Sequence, residues 1–247
     1  MLNRFSRTEL LLGEENMSKL AQSKIAIFGI GGVGSYVAEG LARCGIGEFI
    51  LIDSDDISLT NINRQIHALE TTIGQKKTLM MKERILAINP QAKVTTIEKL
   101  YTPESNFFNW DENYTYIVDA VDDVKAKINL IVNANKHNLP IMSSMGTANK
   151  LDPQKFVITD IYKTHTCPLA RIMRKTLKQQ GIKKLKVLYS TEEPFTNYTV
   201  NFKENTSKDN SPASTRKQPL GSISFVPPIA GLMIAGEIVK DICQINR

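Results

Sequence analysis

Four glycines, Gly29, Gly31, Gly32 and Gly34, follow directly on a short apolar run, residues 24–28. A chain that turns on glycines between a strand and a helix can bring bare backbone against phosphate oxygens. The helix N-terminus adds unpaired N–H groups and a partial positive charge. A second apolar run, residues 49–52, ends on Asp53. An acid at the end of the second strand, about 20 residues beyond the glycines, is placed to accept hydrogen bonds from a ribose. These residues describe a nucleotide site that suits NAD and ATP equally well. A tight turn that binds nothing is the alternative, and the strand before it and the spaced acid after it weigh against that.

To hold such a site the chain needs a βαβ unit, and the pattern supplies one: strand 25–28, a helix to about Cys44, a turn through Gly45 and Gly47, and strand 49–52. Further strands are predicted at 93–97, 116–120 and 140–144, separated by helices around 75–87 and 123–137. Alternation of this kind predicts an α/β fold with a Rossmann-like, doubly wound, mostly parallel sheet. Residues 1–24 read as a helical lead-in and 25–150 as the nucleotide-binding part. Residues 151–247 form a C-terminal extension of mixed strands and helices, facing substrate and a second subunit. It holds a strand at 155–161, a helix at 168–180 closed by Gly181, a strand at 185–190 and an apolar helix at 227–242. Residues 202–218, rich in polar and turn-forming types, read as a flexible loop.

Composition narrows the class. An apolar content of 42% supports a sizeable core, yet no run approaches the roughly 20 apolar residues of a membrane span. The charged start, with Arg4, Arg7, Glu9, Glu14 and Glu15, is unlike a signal peptide, so a cytoplasmic protein without a membrane partner is expected. Cys44, Cys167 and Cys243 show neither zinc spacing nor a disulfide framework. The net charge of +6 is concentrated: residues 161–190 carry eight bases (Lys163, Arg171, Arg174, Lys175, Lys178, Lys183, Lys184, Lys186) and no acid. Such a block attracts polyanions, nucleic acid first among them, although a solvated basic helix would look similar. In the 168–180 helix, Leu169, Ile172, Met173 and Leu177 are expected on one face, with Arg171, Arg174, Lys175 and Lys178 on the other.

The stretch beyond Asp53 carries a more specific signal. It reads Asp55-x-x-x-x-Thr60-Asn61-x-Asn63-Arg64-Gln65, then Gly74-Gln75-Lys76-Lys77. With the glycine turn and the acid-ended strand, it resembles the adenylation domain of E1-like enzymes, which includes activators of sulfur-carrier proteins. The resemblance implies ATP and Mg2+ as cofactors, with Asp53 on the ribose and Asp55, Asn61, Arg64 and Lys77 around the nucleotide. It also implies that Asp122 helps to hold magnesium. Arg4-Phe5-Ser6-Arg7 is similar to a family pattern whose second arginine enters the partner subunit's site, implying a homodimer with Arg7 acting in trans. Adenylation brings a carboxylate onto the α-phosphorus and expels pyrophosphate, so cations must be fixed in advance.

Further stretches at 143–153, 160–164, 168–174, 189–194 and 221–227 resemble the bacterial tRNA threonylcarbamoyladenosine dehydratase branch of that superfamily. The branch implies ATP-dependent cyclisation of N6-threonylcarbamoyladenosine at position 37 of tRNA by carboxylate adenylation, without a protein nucleophile. It implies tRNA as partner, with Lys163, Arg171, Arg174, Lys175 and Lys178 as the bases that meet it, and sulfur-transfer proteins as candidate associates. Cys167, beside Pro168, reads as a buried or incidental thiol. The rival readings are an activator of a ubiquitin-like sulfur carrier, disfavoured by the missing paired cysteines, and a Rossmann-type nucleotide sensor without catalysis.

Overall fold

The computed structural model describes residues 2–195 and 220–245, so the loop expected at 202–218 lies outside the described residues. Two helices open the chain, α1 (Ser6–Leu12) and α2 (Glu14–Gln22). There follow β1 (Lys24–Phe28), α3 (Gly34–Arg43), β2 (Glu48–Ile52), α4 (Lys77–Ile88), β3 (Lys93–Ile97), β4 (Tyr116–Asp119), α5 (Val124–Lys136) and β5 (Ile141–Ser144). The remaining elements are β6 (Phe156–Asp160), α6 (Pro168–Gln179), β7 (Lys186–Ser190) and α7 (Val226–Ile242).

These strands form one seven-stranded sheet in the order β3-β2-β1-β4-β5-β7-β6. Every pairing is parallel except β6 with β7. From β1 the chain runs outward to β2 and β3, then returns to β4 on the other side of β1. That reversal opens a crevice beyond the carboxyl ends of β1 and β4, where ligands bind in open sheets of this kind. The stretches 25–150 and 151–247 contribute strands to the same sheet.

Both faces of the sheet are covered, which is why β1 and β2 read as unbroken apolar runs. Ile25, Ile27, Phe49 and Leu51 pack on one face with Val37 and Leu41 of α3 and Ile234 and Ile238 of α7. Ala26, Phe28, Ile50 and Ile52 pack on the other with Leu130 of α5 and the rings of Tyr101, Phe108 and Tyr114. Beyond them, Val187 and Tyr189 of β7 meet Met173 and Leu177 of α6. No described helix is long and apolar enough to cross a membrane.

Helix α6 differs from expectation in one respect. Ala170, Met173 and Leu177 form its buried stripe, whereas Ile172 is 49% exposed. At 100° per residue Ile172 falls a quarter-turn outside the 170–173–177 line, too far round to reach the core.

Candidate active site

The glycine turn occupies the crevice. Gly29 has φ +85°, and a Cβ there would stand 2.6 Å from the carbonyl oxygen of Ala120. A Cβ on Gly34 would lie 1.8 Å from the carbonyl oxygen of Gly29. The turn therefore folds tightly on itself and against the end of β4, which only glycine allows. No side chain caps the N-terminus of α3, where the N–H groups of Ser35, Tyr36 and Val37 bond to Gly31 O and Val33 O, so the glycine turn before them is the part of the main chain that faces the crevice.

Asp53 locks the turn. Its Oδ2 accepts the N–H of Ile30 at 2.6 Å and its Oδ1 accepts the N–H of Asp55 at 2.9 Å. Burial pushes its pKa above the usual carboxylate value, opposed by nearby Lys77 and by these two main-chain donors. A carboxylate offers about four lone-pair sites, so acceptor capacity remains for ribose hydroxyls.

Beyond Asp53 the segments 55–57 and 74–77 pair as a short ladder, with Ile57 N–H donating to Gln75 O (2.8 Å) and Gly74 N–H to Ile57 O (2.8 Å). It seats adjacent lysines on adjacent aspartates: Lys76 on Asp56 at 2.7 Å and Lys77 on Asp55 at 2.6 Å. The Lys77 residue is only 6% exposed, so its ammonium is fixed at the start of α4. Asp55 thus meets the site through Lys77.

Arg64 crosses the glycine turn. A Cβ on Gly32 would lie 3.4 Å from Arg64 Cγ and 3.0 Å from Pro227 Cβ. One guanidinium nitrogen, Nη1, donates to Thr60 O and to Asn63 Oδ1, both at 2.9 Å. No carboxylate pairs with Arg64 among the described residues. Burial lowers its pKa, yet a guanidinium stays charged in any protein setting. Asn61 is buried and its Oδ1 accepts the N–H of Ser58 at 3.1 Å, so one half of its amide already shapes the turn that presents Arg64.

Asp122 is exposed, two residues beyond the Ala120 carbonyl that backs Gly29. The N-cap of α5 is Asp123, whose Oδ1 accepts the N–H of Ala126 at 2.8 Å, so Asp122 has no capping role. Arg7 lies exposed on α1, far along the chain from these loops, and makes no ion pair among the described residues.

A buried pair escaped the sequence reading. Lys127 and Asp119 are both 0% exposed and meet at 3.0 Å, and Ser143 Oγ donates to the same carboxylate. The ammonium also donates to Val121 O at 3.0 Å, which fixes the 119–121 strand end behind Gly29. A lysine in a helix reads as surface; only its burial reveals the role.

His67 is a second buried group near Lys77. It is 4% exposed, neither ring nitrogen has a partner, and burial, with Lys77 and Arg84 nearby, brings its pKa down from 6.5 to about 4. The unfolded chain therefore binds a proton that the folded chain refuses between these values. Stability is full above pH 6.5 and falls as pH drops toward about 4, by up to roughly 3 kcal/mol. Urea unfolding at pH 7.5 and pH 5 should show a loss that His67→Gln reduces; equal losses in both proteins would contradict this.

On α6, Arg171, Lys175 and Lys178 are exposed at i, i+4 and i+7, one stripe on the helix, with Lys163 exposed before it. Arg174 departs from that expected face. It is half-buried, and its guanidinium donates to Thr164 O at 2.8 Å and to Thr164 Oγ1, tying α6 to the preceding turn. Lys186 is likewise engaged, at 2.6 Å from Asp241 and 3.0 Å from Glu237. Cys167 is buried at the start of α6.

A glycine anion cradle at the switch point of a doubly wound sheet, with fixed cations around it, defines a nucleotide-binding α/β protein. The chain belongs to the ThiF family, matching it over residues 5–247. It is 43% identical over 245 residues to the tRNA threonylcarbamoyladenosine dehydratase of Bacillus subtilis, covering 99% of this chain and 96% of that protein. To the Escherichia coli protein of the same name it is 42% identical over 175 residues, 71% of this chain and 65% of that one. The solved structure of E. coli tRNA N6-threonylcarbamoyladenosine dehydratase in complex with ATP superposes with a TM-score of 0.83 at 32% identity, covering 98% of this chain and 94% of that one. A complex of the same E. coli protein with AMP gives equal figures.

Proposed function

We propose that this chain is an ATP-dependent dehydratase that cyclises N6-threonylcarbamoyladenosine in tRNA. The observation that carries the reading is Arg64: a half-buried guanidinium without a carboxylate partner among the described residues, held across the glycine turn. A half-buried cation without a carboxylate is placed to share its field with an incoming anion. The likeness over 99% of the chain to a dehydratase of this name supports the substrate.

In this reading a threonyl carboxylate oxygen attacks the α-phosphorus of ATP and pyrophosphate leaves with the bonding electrons. A nitrogen of the carbamoyl group then attacks the acyl carbon, loses its proton and expels AMP. The product lacks the elements of one water. Turn N–H groups and Asp53 seat the nucleotide, while Arg64 and Lys77 stabilise charge as it grows on the leaving phosphates. Asn61, with its Nδ2 turned to no described partner, adds a donor. Asp122 fits a magnesium site, being an exposed carboxylate at the rim, and Mg2+ suits one or two carboxylates plus phosphates. When bound, the ion neutralises phosphate charge. A homodimer would bring the partner's arginine to the site; exposed Arg7 and the exposed Leu10 and Leu11 of α1 support it. With tRNA as substrate, the enzyme works in the cytoplasm.

Labelled pyrophosphate should exchange into ATP only when tRNA bearing the threonylcarbamoyl group is present. Exchange driven instead by a carrier protein's C-terminus would overturn the substrate assignment. The α6 stripe is the proposed tRNA surface. Lys175→Ala with Lys178→Ala should weaken tRNA binding and lower the salt-dependence slope by about 0.7 to 0.9 for each phosphate no longer neutralised, with ATP affinity unchanged. Binding assays over a salt series check this, and an unaltered slope would contradict it.

A further inference from the structure

We propose that Asn149 is a positioning residue for Arg64, acting through the main chain of Gly221–Ser222 and the side chain of Asn63. Asn149 lies in the loop after β5 with φ +57°, a conformation Asn tolerates better than most residues with a side chain. Three of its groups are committed. Its N–H donates to Gly221 O at 2.8 Å, its Oδ1 accepts the Gly221 N–H at 2.7 Å, and its carbonyl accepts the Phe195 N–H at 2.8 Å. Asn149 thus clasps two stretches that lie on either side of residues 196–219 in the chain. The paired bonds to Gly221 fix that peptide in orientation as well as place.

From there the connection to the site is short. Ser222 O accepts from Asn63 Nδ2 at 3.1 Å, and Asn63 Oδ1 accepts from Arg64 Nη1 at 2.9 Å. One amide therefore holds the Gly221–Ser222 strip with its nitrogen and the guanidinium with its oxygen, so a shift of the strip is passed to Arg64. Lys150 keeps the clasp in register: it is 4% exposed, its ammonium donates to Glu192 O, and the Glu192 carboxylate accepts the N–H groups of Leu151 (2.9 Å) and Asp152 (3.0 Å).

The inference rests on the reading of Arg64 as a phosphate-binding group, and the test separates the two. Asn149→Gly keeps the positive φ without strain and removes the side chain, whose hydrogen bond among the described residues is the one through Oδ1. ATP and adenosine affinities are measured by calorimetry for wild type, Asn149→Gly, Arg64→Ala and the double variant. We expect Asn149→Gly to weaken ATP binding about fivefold, the scale of one lost hydrogen bond, with adenosine affinity unchanged and no further loss on the Arg64→Ala background. If Arg64→Ala leaves ATP affinity unaltered, the phosphate reading falls and the inference falls with it. If Arg64→Ala weakens ATP binding while Asn149→Gly adds its effect independently, weakens adenosine equally or has no effect, the inference alone is overturned.

Discussion

Arg64→Ala is expected to lower kcat/KM for the ATP-dependent reaction by about 10²- to 10³-fold, the scale of removing one pre-placed electrostatic donor from a developing anion. The wild-type guanidinium is oriented before substrate arrives, by Thr60 O and by Asn63 Oδ1. It has no carboxylate among the described residues to be pulled away from, so little reorganisation precedes the reaction. Arg64→Lys should recover only part of the loss, because an ammonium is a point charge that cannot bridge two phosphate oxygens as a planar fork does. The stability of Arg64→Ala should stay within about 1 kcal/mol of wild type, since the acceptors it leaves, Thr60 O and Asn63 Oδ1, are at the exposed rim of the site. Steady-state kinetics with a denaturation control decides the matter. Near-normal kcat/KM would remove Arg64 from the chemistry.

Lys127→Met is expected to have the largest effect on stability, a loss of about 3 to 5 kcal/mol, because it strands the Asp119 carboxylate in the core. Both partners are 0% exposed, and the donors that remain, the Ser143 hydroxyl and the Val121 N–H at 3.3 Å, cannot compensate a buried charge. Asp119→Asn combined with Lys127→Met should recover much of the loss, since a neutral amide at 119 carries no charge to strand. ATP affinity should fall in the single variant as well, as the ammonium also holds Val121 O, behind the glycine turn. Urea unfolding of wild type and both variants checks this, and equal stability of single and double variants would contradict the explanation.

The central sheet was readable from sequence because β1, β2 and β4 are buried on both faces, which turns each into a mostly apolar run ended by a turn. The glycine turn was readable because only glycine satisfies its geometry, and Asp53 because a strand end fixes its place. Sheet order in the 151–247 stretch was not: nothing local in Lys186–Ser190 says that it inserts between β5 and β6. The face of α6 was readable to within a quarter-turn, so Ile172 and Arg174 were placed on the wrong sides of the boundary while Arg171, Lys175 and Lys178 form the exposed stripe. Roles that depend on partners remote in sequence were hidden. Lys127, His67 and Asn149 are ordinary helix or loop residues until their burial and hydrogen bonds are seen.

The central claim is best tested by incubating the protein with ATP, Mg2+ and tRNA carrying threonylcarbamoyladenosine, then weighing the released nucleoside under conditions mild enough to preserve a labile ring. The expected product is lighter by the mass of one water, formed only with ATP and lost with Arg64→Ala. An unchanged nucleoside, from protein that binds both ATP and this tRNA, would contradict it.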